Sequence, residues 1–107
     1  MKKLEIIIRP EKLDELKEIL NSCNAHGLMI SNIMGYGLQK GHKQAYNGVD
    51  FGGNLLPKVK VETIVTDDVA EHIIDLVIDN INTGTYGDGK IFVYDVDDAV
   101  RNRTGER

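Results

Sequence analysis

The sequence predicts an α+β chain of the split βαβ, ferredoxin-like kind. A strand–helix–strand pattern occurs twice in succession, and a glycine-rich stretch separates the two copies. In the first copy Leu4, Ile6 and Ile8 alternate with Glu5, Ile7 and Arg9, the period of a short strand, and Pro10 stops it. Leu13, Leu16, Leu20 and Cys23 then recur three and four residues apart with charges between them, which is helical spacing. A second strand spans roughly Leu28 to Tyr36 and ends among Gly35 and Gly37. In the second copy Val59, Val61, Thr63 and Val65 alternate as a strand. Asp67 and Asp68 offer an N-cap, with Glu71 as capping-box partner of Asp68. Val69, Ile73, Leu76 or Val77, and Asn80 or Ile81 mark the second helix, and Ile91 to Val96 the last strand.

Two helices cover one face of such a sheet. The strands Ile6-Ile7-Ile8 and Phe92-Val93-Tyr94 are apolar on both sides, so the second face also needs cover, which pairing of sheets between copies of the chain would provide. A chain of 107 residues makes one small domain with little core to spare, so subunit packing is a reasonable source of added stability. Interspersed charges with 41% apolar residues indicate a soluble globular chain, and a net charge of -4 gives no overall pull toward nucleic acid. Cys23 stands alone, which rules out an internal disulfide and suits a buried thiol in a reducing cytoplasm. Met1-Lys2-Lys3 opens directly into a strand without a signal-peptide core, and no run of about 18 apolar residues suggests a membrane span.

Between the two copies, residues 37–56 hold Gly37, Gly41, Gly48, Gly52 and Gly53 among polar side chains, closed by Pro57. An insertion of that length in a compact domain is expected to be a long, mobile, solvent-exposed loop with a function. Three segments could hold chemistry. Gly84 through Lys90 formally satisfies G-x-x-x-x-G-K, but Ile91 replaces the Ser or Thr of a P-loop and a strand follows where a helix is required. The remaining readings are a glycine-rich turn whose amides and Lys90 approach an anion, or a plain helix-to-strand connector with Gly84 as the helix stop. Arg101-Asn102-Arg103, if extended, points both guanidiniums the same way toward one anion; otherwise they are two solvated arginines. Gly35-Tyr36-Gly37-Leu38-Gln39-Lys40-Gly41-His42 is either a small-dianion site or a simple loop. His26, His42 and His72 share no metal-ligand spacing, and Asp95, Asp97 and Asp98 suit turns or caps better than acid–base catalysis.

In order along the chain, Ile7-Ile8-Arg9-Pro10 with Lys12-Leu13, Gly35-Tyr36-Gly37 with Gln39-Lys40-Gly41-His42, Leu56-Pro57-Lys58-Val59-Lys60, Thr83-Gly84 with Gly87-Asp88-Gly89-Lys90-Ile91-Phe92-Val93, and Arg101 with Arg103-Thr104-Gly105-Glu106 resemble the PII family of nitrogen regulators nearly end to end. The resemblance implies a single PII-like domain over 1–107, with a T-loop at about 37–56, a B-loop at about 82–90 and a C-terminal segment at about 98–107. It further implies a cytoplasmic homotrimer that a channel partner could recruit to the membrane. ATP or ADP would bind in each cleft between subunits. Gly87, Asp88, Gly89 and Lys90 would cradle the phosphates from one subunit, with Arg101 and Arg103 reaching from its neighbour. Ile7 and Ile64 would flank the base, the Gly27-Leu28-Met29 segment would lie at its edge, and Gly35, Gly37, Leu38 and Gln39 would complete the nucleotide site. Gln39 would ligate Mg2+, and Gln39, Lys40, Gly41 and Lys58 would hold the effector 2-oxoglutarate. The output would be T-loop contact with an ammonium channel or a nitrogen-metabolism enzyme, with no catalysis.

The sequence departs from that pattern at particular residues. Leu38 stands where the family commonly has a phosphate-contacting Arg, and Met29 where it has a Thr near adenine. Phe51 occupies the place of the family's modified Tyr and has no hydroxyl to accept a nucleotidyl group; Val49 likewise lacks a phosphorylatable hydroxyl. Gly52-Gly53-Asn54 also differs from the family's loop. Two alternatives follow: a specialised paralogue that binds a transporter or nitrogenase-associated partner without responding to 2-oxoglutarate, and a slow ATPase using Lys90, Gln39 and magnesium.

Overall fold

The computed structural model describes residues 1–25, 27–36, 45–46, 49–50, 55–85 and 87–107. Strand β1 (Lys2–Ile8) leads through a single 3-10 turn at Pro10–Lys12 into α1 (Leu13–Ser22). β2 (Leu28–Tyr36), a short pair β3 (Ala45–Tyr46) and β4 (Val49–Asp50), and the long β5 (Leu55–Val65) follow, and α2 (Asp67–Ile81) and β6 (Lys90–Asp95) complete the chain. The four main strands form one sheet in the order β2-β5-β1-β6, all pairs antiparallel. That is the α+β arrangement expected from the two strand–helix–strand copies.

The register explains which side chains meet. Leu4 lies between Thr63 and Val93, Ile6 between Val61 and Ile91, and Ile8 opposite Val59. Directly opposed residues share a face, so these apolar side chains form one continuous surface. Leu16 and Leu20 of α1 and Ala70, Ile73, Val77 and Ile81 of α2 close over it. Cys23 is buried at the end of α1, as its place in the helical spacing predicts. The opposite face carries Lys3, Glu5 and Ile7 on β1, Lys60, Glu62 and Ile64 on β5, and Phe92 and Tyr94 on β6. It has no cover within the described residues: Ile64 is 43% and Phe92 45% exposed.

Three expectations need correction. The N-cap of α2 is Thr66, extended at φ -68 and ψ 161, without a side-chain capping bond. Asp67 and Asp68 are therefore inside the first turn, where their charges face the positive helix end. The stretch 37–56 contains strand residues where the sequence predicts none. β5 begins at Leu55, opposite Tyr36, and Ala45–Tyr46 pairs with Val49–Asp50. Third, α2 stops at Ile81 because Asn82 is already extended (ψ 126). Gly84, with φ +78, lies beyond the cap and shapes the next turn instead of ending the helix.

Candidate functional site

The connection from α2 to β6 is built around one carboxylate. Asp88 Oδ2 accepts the amide N–H groups of Thr83 (2.9 Å) and Gly84 (3.0 Å), and Oδ1 accepts the Thr83 hydroxyl and Arg9 Nε (3.5 Å). Asn82 Oδ1 accepts a further bond from the Gly84 amide at 2.7 Å, and Arg9 Nη2 donates to Thr85 Oγ1 at 3.1 Å. The Thr83 hydroxyl, two amides and Arg9 hold the Asp88 carboxyl down at about 2, against a smaller opposing effect of desolvation. Its stabilising contribution is complete above the ordinary carboxylate pKa and is lost as pH falls through the depressed one. We expect this turn to loosen between about pH 4 and 2, with amide exchange at Thr83 and Gly84 as the readout. Asp88→Asn should remove that part of the acid dependence; Asp95, lowered by Lys2, retains its own.

Gly87 and Gly89 take φ values of +90 and +101. At Gly89 a Cβ would lie 1.8 Å from Ile7 O, so the turn is pressed against the backbone of β1. Glycine is required there by both conformation and space. Lys90 then opens β6 opposite Ile7. On the other side Lys58, only 9% exposed, donates from its ammonium to Gly87 O. Burial and, secondarily, the charge of Arg9 push the Lys58 pKa down. Gly35 packs on the Lys58 stem, with a would-be Cβ 3.3 Å from Cγ. A cleft of about 440 Å³ between α2 and β6 is walled by Ile74, Ile78 and Val93 and ends on Ile7, Asp88, Gly89 and Lys90.

Ile7, Gly35, Lys58 and Gly87 through Lys90 thus gather at one end of the sheet. The other expected residues gather at the far end. Ile64 is opposite Lys3, four positions along β1 from Ile7, or about 13 Å in a strand. Leu28 is opposite Thr63, whose hydroxyl donates to Gly27 O at 3.0 Å, and Met29 is opposite Glu62 and 57% exposed. Arg101 lines a second cavity with Met1, at that far end. Arg101 and Arg103 do not lie on an extended segment. Gly105 N donates to Arg101 O (2.7 Å) and Arg101 N to Glu106 O (2.8 Å), which closes a turn with Gly105 at φ +72. Both arginines are exposed on that turn. Gly37, Leu38, Gln39, Lys40, Gly41 and Phe51 lie outside the described residues, as do His26 and His42; His72 is exposed on α2.

Arg9, Thr83 and Thr85 were not singled out by sequence as holders of this turn. The available signal was Arg9 at the last position of an apolar strand before Pro10, a place that needs a partner across the sheet end. Among the described residues no group of three His, Cys, Asp or Glu is arranged to hold a metal ion. A glycine turn with its acid consumed internally and a lysine at its exit can present backbone amides and one cation to an anion, the chemistry of a phosphate cradle.

Residues 1–106 match the family model described as nitrogen regulatory protein P-II. The chain is 45% identical over 106 residues to "Nitrogen regulatory protein P-II" of Pasteurella multocida, covering 99% of this chain and 95% of that protein. It is 46% identical over 107 residues to the protein of that name from Rhodospirillum rubrum, covering 100% and 96%. Similarity to "Nitrogen regulatory protein P-II 1" of Escherichia coli K12 is 44% over 106 residues, covering 99% and 95%.

Proposed function

Since this chain belongs to the nitrogen regulatory protein P-II family, we propose that it is a cytoplasmic, homotrimeric sensor of ATP and ADP that reports through its T-loop, residues 37–56. The carrying observation is the division of the expected nucleotide residues between opposite ends of one sheet. A single chain cannot bring Ile7 and Ile64 to the same base across about 13 Å of strand, whereas two chains side by side can. Gly87, Asp88, Gly89 and Lys90 of one subunit would meet the phosphates. Arg101 and Arg103, with Gly27, Leu28, Met29 and Ile64, would come from its neighbour, and the uncovered sheet face gives the copies a surface on which to assemble.

The residues fit a nucleotide. Two positive-φ glycines, Gly87 and Gly89, flank Asp88 in a turn that can offer backbone amides, Lys90 supplies charge, and the apolar Ile7 offers a surface for a base. Asp88 would act through its backbone, since its carboxylate is spent on Thr83, Gly84 and Arg9. It is the one acid of the turn from 82 to 89, which favours binding over hydrolysis. Gln39 would hold Mg2+ with the phosphates, and Gln39, Lys40, Gly41 and Lys58 would take the carboxylates of 2-oxoglutarate, with Lys58 the cation. The bound set would then decide how the T-loop meets an ammonium channel or nitrogen-metabolism enzyme. Phe51 has no acceptor hydroxyl, so ligand occupancy is the input.

Calorimetric titration of the purified chain with ATP and with ADP should give saturable heats for both, and 2-oxoglutarate should bind only with MgATP present. Absence of heat with either nucleotide at millimolar concentration would refute the sensor.

A further inference from the structure

We propose that the Asp98–Arg107 ion pair is a clasp that keeps the 98–107 segment closed, so that Arg101 and Arg103 are presented as a preset anion-binding pair. The inference rests on the nucleotide reading above and gives Asp98 and Arg107 a positioning task within it. Residues 97–107 are all exposed and none joins the hydrophobic core, so burial does not fix their path. The segment folds around a cavity of about 320 Å³, and among the described residues only Met1 lines it from elsewhere in the chain. What holds the segment is polar. The Arg101 amide donates to Glu106 O, the Gly105 amide to Arg101 O, and the Glu106 amide to Thr104 Oγ1 at 3.2 Å. Outside that backbone ring, Arg107 Nε donates to Asp98 Oδ2 across nine positions. Asp98 Oδ1 accepts the Ala99 amide at 2.9 Å, which sets the carboxylate for this bond.

The clasp matters because the ring inside it is weak. Every residue of the ring is exposed, and segments with solvent-exposed backbone bonds open readily. Gly105, at φ +72, is a position that glycine leaves as readily as it enters. An open segment would have to be ordered, with its two long arginine side chains, when the anion arrives, and that ordering subtracts from affinity. A segment already closed has less to lose. One exposed ion pair contributes little by itself, which limits the expected effect to about twofold to fivefold. The sign separates a clasp from a simple charge. Asp98 is a negative group three positions from Arg101, so if only its charge mattered, neutralising it would tighten phosphate binding. If it closes the segment, neutralising it weakens binding instead.

The test uses the full chain, with Asp98→Asn and Arg107→Gln each removing one charge and Arg107→Lys keeping the cation. In ligand-free protein, amide exchange at Arg101 and Gly105 should rise about twofold to fivefold in Asp98→Asn and in Arg107→Gln, and stay near wild type in Arg107→Lys. Exchange at Ile6 and Val61 in the sheet should stay unchanged. Calorimetric affinities for ATP and ADP should fall by a similar factor in both neutral variants and recover in Arg107→Lys. Unchanged exchange at Gly105 in both neutral variants overturns the proposal. So does equal or tighter nucleotide binding by Asp98→Asn beside a wild type that binds. A wild type that binds no nucleotide refutes the sensor reading instead, and the exchange experiment still decides whether the ion pair closes the segment.

Discussion

Gly89→Ala is expected to lower stability by about 2–4 kcal/mol and to abolish nucleotide binding. Two penalties combine at this position. The backbone sits at φ +101, where an L side chain is strained, and the added Cβ would lie 1.8 Å from Ile7 O and 2.7 Å from Ile7 C. The obstacle is backbone in the sheet's inner strand, so it cannot rotate aside as a side-chain tip would. Relief requires either parting β1 from the start of β6 or flipping the turn, and both displace Lys90 from its place opposite Ile7. For a chain of this size the cost corresponds to a fall in Tm of roughly 10–25 °C. Thermal unfolding with calorimetric titration checks both parts. Gly84→Ala is the control: φ is again positive at +78, but beyond its chain neighbours no atom of the described residues lies within 4 Å of where the alanine Cβ would sit, so the steric part is missing. Equal losses from the two substitutions would show that contact with Ile7 is not what makes Gly89 necessary.

The second large effect concerns the division of the site between chains. Lys90→Ala alone, and Arg101→Ala with Arg103→Ala in one chain, should each lose most ATP affinity. Unfolding the two variants together and refolding the mixture should restore binding to about one site in four under random assembly in a closed ring. The fraction follows because a working site needs an intact turn from one subunit and intact arginines from its neighbour, each present with even odds. Titration of the mixture against the separately refolded variants measures it. If the mixture binds no more than the variants alone, the site is not shared, and the placement of Ile64 and Arg101 at the far end of the sheet has another purpose.

Much of this architecture was legible because its signals are local. Leu4, Ile6 and Ile8 alternate in sequence and are fully buried in the sheet, and Leu16 and Leu20 lie one helical turn apart on the face that covers them. The glycine-rich turn was also visible, as was its failure to be a P-loop, since β6 starts at Lys90 where a helix would be needed. The misses came from competition between local options. Asp67 and Asp68 are good caps in isolation, yet Thr66 takes the extended conformation ahead of them. Arg101 and Arg103 suggested alternation, yet the positive φ of Gly105 allows a turn closed by two backbone bonds.

By itself, then, the sequence determined the order of the four main strands and two helices, the buried face of the helices and of β1, and the segments in which an anion could be met. Periodicity of 2 and of 3.6 is written residue by residue, and a chain needs no knowledge of its distant parts to display it. Only the tertiary structure decided how the turn at 82–89 is held and which candidate residues share an end of the sheet. Arg9 reaches Asp88 across 79 positions and Lys58 reaches Gly87 across 29. Such contacts follow from the antiparallel register of β1 with β5 and β6, which no local pattern records. The same register sets Ile7 and Ile64 apart, and so makes a second copy of the chain part of the proposed site.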